Sequence, residues 1–364
     1  MRLLVDAHVF DRKFQGVRTY LEGFFLHMIK YRNIDFYFAA NHEERLREVF
    51  GDAENIHYVH LSNRPQIVRL LIDFPRIIKQ YKIDYAHFQY ITPLVKRCKE
   101  IVNIHDLLFV DYPQYFPLSF RLKFKYLFKR SAKRADLVLT LSEFSFDSLV
   151  RNFGINKDKI YITPIGVLPE LTDVDYQKIK EKYSLEKYIL FVSRVEPRKN
   201  HLILLKAFEE LELSKKGYKL VFVGGKDLGY KSFFDYLNSL PEQEQNNILM
   251  MHVPFNELLA LYHGANLFVF PSLGEGFGIP PIEAVAYGCP LLCSNAPAMS
   301  EFGLPDEITF SPNNLEELKT KIMKQLSNPM PQSKYKEKIM NQYDWENIVD
   351  KYYKELIKRN IVSE

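Results

Sequence analysis

The sequence predicts an α/β chain built as two doubly wound, Rossmann-like domains in succession. Three observations carry that expectation. Short apolar runs of strand length alternate with helix-period amphipathic segments from end to end. The series restarts once, near Thr163-Pro164-Ile165-Gly166. A chain of 364 residues with 47% hydrophobic content is also too long for one ordinary domain and comfortable for two.

In order, strands are expected at residues 3–9, 35–39, 56–60, 85–88, 101–104 and 137–141, with helices at 18–30, 66–80 and 120–133 among them. A second series places strands at 188–193, 219–223, 248–252, 267–271 and 290–294. Its helices fall at 202–211, 257–263, 281–287 and 315–326. Such alternation implies parallel sheets made of βαβ units. The polar stretch 173–182 reads as the interdomain linker. The expected domains are therefore 1–165 and 166–345. A terminal helix, 346–358 within the last segment 346–364, follows Asp344-Trp345 and is free to pack back on the first domain. Doubly wound sheets bind ligands at the carboxyl ends of their strands, so a cleft between the two domains is the expected binding site.

Composition excludes several classes. An aromatic content of 14% rules out a disordered chain. The longest apolar runs are of strand length, far short of a membrane span. Met1 leads directly into a strand with no signal-peptide pattern, so the chain is expected to stay in the cytoplasm. Cys98, Cys289 and Cys293 are odd in number and lack paired CxxC spacing, which argues against a disulfide framework or a zinc site. Charge is unevenly shared. Residues 1–170 hold 26 Lys and Arg against 19 Asp and Glu, whereas 171–364 hold 23 against 26, so an anionic partner suits the first half.

The most informative stretch is 271–284, PSLGEGFGIPPIEA, between a strand and a helix. Pro280 and Pro281 suit a first helical turn, where a missing N–H is no loss. Gly274, Gly276 and Gly278 let backbone amides approach a ligand, and a helix N-terminus attracts phosphate or a polar sugar. Glu275 and Glu283, eight apart, are acceptor-only groups able to hold two different sets of hydroxyls. Three other readings stand beside this one: a dinucleotide loop, Glu283 as a helix-dipole partner, and Glu275 as a solvated loop charge. Pro280-Pro281, and the lack of a ribose carboxylate after the next strand, weaken the first.

Residues 193–200, SRVEPRKN, end another strand and open a helix. Arg194 supplies a bidentate fork and Lys199 a point charge at a strand's carboxyl end, a pair suited to a diphosphate; the alternative is two exposed surface cations. His105 ends a first-domain strand in Asn103-Ile104-His105-Asp106 and is either structural or a catalytic residue that donates to a sugar hydroxyl or accepts a proton. Gly16, in Gln15-Gly16-Val17, could admit a phosphate to the next helix N-terminus. Asp173-Val174-Asp175 has metal-binding form but sits in the polar linker and reads as a solvated turn. No metal-ligand cluster, Gly-x-Ser-x-Gly elbow or Walker loop occurs.

Residues 117–135 hold seven basic residues, Arg121, Lys123, Lys125, Lys129, Arg130, Lys133 and Arg134, and no acidic one. Phe120, Phe124, Leu127, Phe128 and Ser131 share one helix face. Two readings remain open: a helix packed on the sheet with its cations outside, or a basic face for anionic lipid or a lipid-pyrophosphate acceptor. Nucleic acid is not expected, since no recognition motif accompanies the charge.

Taken together, these segments resemble the family 4, group 1 retaining glycosyltransferases of the GT-B fold. The likeness spans nearly the whole chain and rests on Glu275–Glu283 in its Glu-Gly-Phe-Gly-x-Pro-x-x-Glu-Ala setting, on Ser193-Arg194 with Lys199-Asn200, and on 140–145, Pro164-Ile165-Gly166, His252-Val253-Pro254 and Pro271-Ser272. The resemblance implies two Rossmann-like domains facing each other across a cleft. Arg194 and Lys199 would bind the donor diphosphate and Glu283 the ribose. Glu275 would contact the transferred sugar beside the backbone amides of Phe277, Gly278 and Ile279. His105 would face the reacting sugar, Gly16 would lie near the phosphates, and backbone near Val253 would flank the base. Two departures touch donor geometry: the first-domain Gly-x-Gly loop is reduced to Gly16, and Glu-x-x-Gly-Asp-Ala appears only as Glu301-Phe-Gly-Leu-Pro-Asp306.

The implied reaction moves a hexose from a nucleotide diphosphate sugar to a saccharide or lipid-linked saccharide, with retention and without a metal or other cofactor. Its wording is similar to bacterial mannosyltransferases, which makes GDP-mannose the first expected donor. An anionic membrane surface is a further expected partner. A GT-B nucleotide-sugar epimerase and a non-catalytic nucleotide-sugar binder are the alternatives.

Overall fold

The apolar runs assemble into two sheets, each parallel throughout. The computed structural model describes residues 1–11, 16–167, 176–225 and 229–363. The chain divides into two units, Met1–Leu168 with Gln342–Glu364, and Pro169–Asn341.

The first unit carries β1 (Arg2–Asp6), β2 (Asp35–Ala40), β3 (Ile56–His60), β4 (Tyr85–Gln89), β5 (Lys99–Asn103), β6 (Leu137–Thr140) and β7 (Ile160–Ile162) in the order β3-β2-β1-β4-β5-β6-β7. The second carries β8 (Lys187–Val192), β9 (Tyr218–Val223), β10 (Ile248–Met251), β11 (Leu267–Phe270), β12 (Leu291–Ser294) and β13 (Thr309–Phe310) in the order β10-β9-β8-β11-β12-β13. Consecutive residues such as Leu3, Leu4 and Val5 are all buried, the signature of strands covered on both faces. Each order reverses beside the unit's first strand, between β1 and β4 and between β8 and β11. Those reversals are where a doubly wound sheet opens a ligand crevice.

The helices that bear on function are α1 (Gly16–Met28), α2 (Leu118–Arg134), α3 (His201–Glu210), α4 (Phe255–Gly264), α5 (Ile279–Ala286) and α6 (Trp345–Lys358). Several expected elements differ. The first strand stops at Asp6, because the Asp6 carboxylate accepts from the imidazole Nδ1 of His8 at 2.7 Å and turns His8–Asp11 into a 3₁₀ segment. The helix expected over 66–80 is broken by a π-helical turn at Arg69–Asp73, ahead of Phe74–Gln80. Pro75 has no N–H for an i−4 bond there. Strands β7 and β13 are too short to show alternation.

Part of the expected linker is helical. Tyr176–Lys182 packs on α4 through a Tyr176–His263 ring stack at 4.0 Å and a Lys182–Glu257 pair at 2.7 Å. Polar contacts rather than an apolar stripe hold it, so periodicity hides it. Asp173, Asp175 and Gln15 lie outside the described residues. Cys289 and Cys293 are buried at and beside β12, as free thiols that burial keeps protonated.

Helix α6 belongs to the first unit and packs on α1. Asp344 caps it by accepting from the Asn347 amide at 2.8 Å. Trp345 lies edge-on to Tyr20 at 6.0 Å, Phe24 meets Tyr352 at 5.1 Å, and Tyr31 stacks on Tyr353 at 3.6 Å. At the rim Asp350 accepts from Lys30 at 2.7 Å and from the Tyr31 hydroxyl at 2.6 Å. The indole fits only because two glycines face it. A Cβ on Gly23 would lie 2.3 Å from Trp345 Cε2, and one on Gly166 would lie 2.6 Å from Cδ2.

Gly23→Ala and Gly166→Ala should therefore each lower stability by about 1–3 kcal/mol through overpacking. Trp345 is the protein's one tryptophan, so its fluorescence in a urea titration follows the change. Unchanged midpoints would show that the indole pocket does not hold α6 in place.

Candidate active site

The second unit's reversal point places two loops side by side. Residues 193–200 run from β8 into α3, and 271–278 run from β11 into α5; β8 and β11 are hydrogen-bonded neighbours. Asn200, in the left-handed region at φ 59°, turns the first loop into its helix and donates its side-chain amide to Pro312 O at 2.8 Å and Pro271 O at 3.3 Å. The Leu273 amide donates to Arg198 O at 2.9 Å. The loops are thus stitched together by backbone before any charge is considered.

Glu275 is the charge at their centre, only 6% exposed. Its Oε1 accepts from Lys199 Nζ at 2.6 Å and from Ser272 Oγ at 2.6 Å, and its Oε2 accepts from Arg198 Nη1 at 3.0 Å. Arg198 also donates to Gly274 O and to Glu196. Burial alone would raise the Glu275 carboxyl, but Lys199, then Arg198, hold it down at about 2. Two carboxylates and two cations form a buried neutral set, each charge with a partner. The reading of Glu275 as a solvated loop charge fails on this burial. The surface-cation reading fails for Lys199, whose side chain is 14% exposed, while Arg194 on the same loop is exposed.

Helix α5 begins where Gly278 takes φ 101°. A side chain there would be strained, and its Cβ would come within 3.3 Å of Met299 Cγ. Pro280 and Pro281 remove two of the first-turn N–H groups, and Ile279, which opens the helix, has no i−4 carbonyl within it. Phe277, just before, is buried edge-on to Phe302 at 5.8 Å. Further along α5, Glu283 Oε2 accepts from the Tyr262 hydroxyl of α4 at 2.9 Å. Burial raises this carboxyl to about 7, against the smaller effect of Tyr262. Val253 is half-buried just beyond β10, two strands from β8.

His105 and Gly16 belong to the first unit. His105 follows β5, is buried, and its Nε2 accepts from the Asn103 amide at 3.0 Å. Burial, then His87, push the imidazole down to about 3, so it is a neutral ring packed edge-on to Tyr20 at 5.1 Å. A neutral ring can exchange hydrogen bonds with hydroxyls but supplies no positive charge. Gly16 is the exposed first residue of α1.

Sequence reasoning passed over Arg198, Ser272 and Tyr262. Arg198 sat inside the quoted motif, and its burial was the missing signal. It also missed a polar strip at the first unit's reversal point. There the His8–Asp6 pair follows β1, and His87 Nε2, both Gln89 side-chain atoms and Asn103 Oδ1 are buried with no partner among the described residues. Ordered water or a hydroxyl-rich ligand would satisfy such groups.

Two parallel-sheet Rossmann-like units, the second with a buried carboxylate and its cations at the strand-order reversal, have the GT-B fold. The chain belongs to the glycosyl transferases of group 1: that family's model matches residues 174–342, and the model for glycosyltransferase family 4 matches 15–171. Among curated relatives, O-antigen chain mannosyltransferase B of Escherichia coli is 28% identical over 73% of this chain and 75% of its own. O-antigen chain mannosyltransferase RfbU of Salmonella typhimurium is 32% identical over 57% of this chain and 55% of its own, so the match spans about half of that relative. The crystal structure of Anabaena HepE in complex with UDP-glucose shares the fold at a TM-score of 0.74, with 17% identity over 98% of this chain and 100% of its own.

Glu283 generates a pH test. Its folded carboxyl, raised from an ordinary 4.5 to about 7, keeps a proton that the unfolded chain releases between those values. Stability contributed at low pH is therefore lost as pH rises through that window. Glu283→Gln should match the parent at pH 4 and exceed it at pH 8 by on the order of 3 kcal/mol. Thermal melts across the range check this, and a constant difference would remove the buried-carboxyl assignment.

Proposed function

We propose that the protein is a retaining mannosyltransferase acting in the cytoplasm on GDP-mannose, transferring the hexose to a saccharide or lipid-linked saccharide in cell-surface polysaccharide synthesis. The observation that carries the site reading is the Lys199–Glu275 pair backed by Arg198 at the carboxyl edge of β8 and β11. The mannosyl choice rests on the two O-antigen mannosyltransferase relatives.

In this reading Arg194 and Lys199 meet the diphosphate, offsetting charge that grows as the anomeric C–O bond breaks. Glu283 and the α5 start take the ribose and sugar side, and Val253 flanks the base. Glu275, with the amides of Phe277, Gly278 and Ile279, holds the hexose hydroxyls. His105 offers neutral hydrogen bonding to the reacting sugar, and Gly16 leaves room by the phosphates. The acceptor oxygen bonds to the anomeric carbon on the face the phosphate leaves, and its proton passes to the departing phosphate oxygen. Lys199 reaches the phosphate by exchanging its bond to Glu275, which Arg198 and Ser272 continue to hold.

A panel of GDP- and UDP-sugars, each incubated with and without acceptor, tests the reading. Sugar transfer from GDP-mannose supports it. An epimer formed from donor alone would establish the epimerase reading, and tight donor binding without turnover the binder.

Lys199→Ala and Arg194→Ala should each weaken nucleoside diphosphate binding at least tenfold, since loss of one charged hydrogen bond costs about 1.5–3 kcal/mol. Calorimetric titration reads this directly. Glu275→Gln should reduce turnover more than nucleotide binding, and Glu283→Gln the reverse. Equal losses in both would dissolve that division.

Transfer is also proposed to need no divalent metal, because side-chain cations meet the diphosphate. Activity should survive excess EDTA. Loss that magnesium or manganese restores would overturn this part of the reading.

A further inference from the structure

The segment Gln66–Gln80 places a charge where its inward stripe calls for an apolar residue. Phe74, Ile77 and Ile78 are buried in the first unit's core. One turn earlier the same stripe continues through Asp73 and Arg69, and Arg69 is only 7% exposed. Arg69 opens the π-helical turn that ends at Asp73, and turns of that kind recur at functional sites. Its neighbour Leu70 packs against two clusters of the core, so the turn cannot swing Arg69 into solvent without unseating Leu70.

No group on the chain answers this charge directly. Among the described residues no carboxylate comes within 4 Å of the guanidinium, and its Nε is sealed from solvent without a hydrogen-bond partner. Two acids lie in its neighbourhood. Asp6, at the end of β1, accepts from His8 Nδ1 at 2.7 Å. Burial raises the Asp6 carboxyl, and His8 and then Arg69 hold it below the usual range, so the guanidinium acts on Asp6 through space. Asp73 accepts from Arg64 through Oδ1 at 3.4 Å, while its Oδ2 is buried with no partner. A cation and a carboxylate oxygen one helical turn apart are thus both left open, and they are not bonded to each other. Buried groups of this kind are costly unless something pairs with them.

We propose that Arg69, beside the end of β1, binds the carboxylate of an acidic saccharide. A carboxylate takes two parallel N–H groups from one guanidinium, and Nη1 and Nη2 are not sealed as Nε is. One fork suits a monoanion, and the negative charges of Asp6 and Asp73 oppose a dianion such as a phosphate monoester. A sugar acid also brings hydroxyls, which can serve the imidazole of His8, 9% exposed at the same strand end. The inference rests on the transferase reading only in making this saccharide the acceptor; the binding itself belongs to the first unit.

The test is saturation-transfer NMR on the full chain with D-glucuronate, D-glucose and inorganic phosphate as separate probes. D-glucuronate should bind at least about tenfold more tightly than either of the others. Arg69→Met should remove that preference. Arg69→Lys, which keeps the charge and loses the fork, should weaken D-glucuronate at least about threefold and leave D-glucose unchanged. Arg76→Met, on the exposed side of the same segment, should bind like the parent. Circular dichroism melts report whether each variant folds, and if Arg69→Met does not, Arg69→Lys decides. Equal binding of D-glucuronate and D-glucose, tighter binding of phosphate, or a preference unchanged in the Arg69 variants would each overturn the proposal. GDP titration of the parent by calorimetry reports on the donor separately, so a failed transferase reading is distinguished from a failed carboxylate site.

Discussion

A carboxylate placed almost out of water can exist only if something answers its charge, and at Glu275 that requirement organises the second unit's loops. Arg198 and Lys199 leave β8, Ser272 and Glu275 leave β11, and the ion pairs between them join two connections that the sheet merely sets adjacent. Removing one partner would leave an uncompensated buried charge, costing about 3–5 kcal/mol. Glu196 completes the set, so Arg198 and Lys199 are matched by two carboxylates. Internal pairs of this kind position the loops without help from a ligand, which lets binding energy act on geometry rather than on ordering loops.

The first unit solves a different problem. Its core is completed from the far end of the chain, by a helix whose indole slots between Gly23 and Gly166. The reach is long in sequence, yet the contact is dense: ring against ring inside, and Lys30 and Tyr31 on Asp350 at the rim. Closing the core this way ties the last residues to β1's neighbours and leaves the carboxyl edge of the first sheet with its polar strip of His87, Gln89, Asn103 and His105.

Much of this was legible in the residues. Alternating strand and helix periods revealed two parallel sheets, because buried parallel strands must be nearly continuous apolar runs. PSLGEGFGIPPIEA and SRVEPRKN marked the two loops because glycine, proline and charge there have few structural uses. What stayed hidden depended on neighbours distant in sequence. Lys199 and Glu275, 76 residues apart, are assigned by resemblance to one donor, but nothing in their spacing shows that they pair directly with each other. Arg198 looked like any surface arginine. The helix at Tyr176–Lys182 looked like a linker because polar pairs, not an apolar stripe, hold it. In α2 a strong Phe spacing concealed a weaker row of Leu118, Leu122 and Tyr126 on the other side.

Glu275 and Glu283 show how one motif yields two chemistries. Both are desolvated, and desolvation pushes both carboxyls the same way. Glu275 has two cations and a hydroxyl around it and ends near 2, an anion at any physiological pH. Glu283 has only the Tyr262 hydroxyl and ends near 7, where a ligand can find it with or without a proton. Identical residues eight positions apart are thus a fixed acceptor and a titratable one. The difference lies in what the adjacent strand delivers: β8 brings Arg198 and Lys199 to Glu275, while α4 brings only a phenol to Glu283. Pushing two like groups apart in pKa by their surroundings is how a site assigns them separate work. It also explains why the pair cannot be exchanged. A cation beside Glu283 would hold it ionised, and without its cations Glu275 would take up a proton and lose its charged hold on the loops.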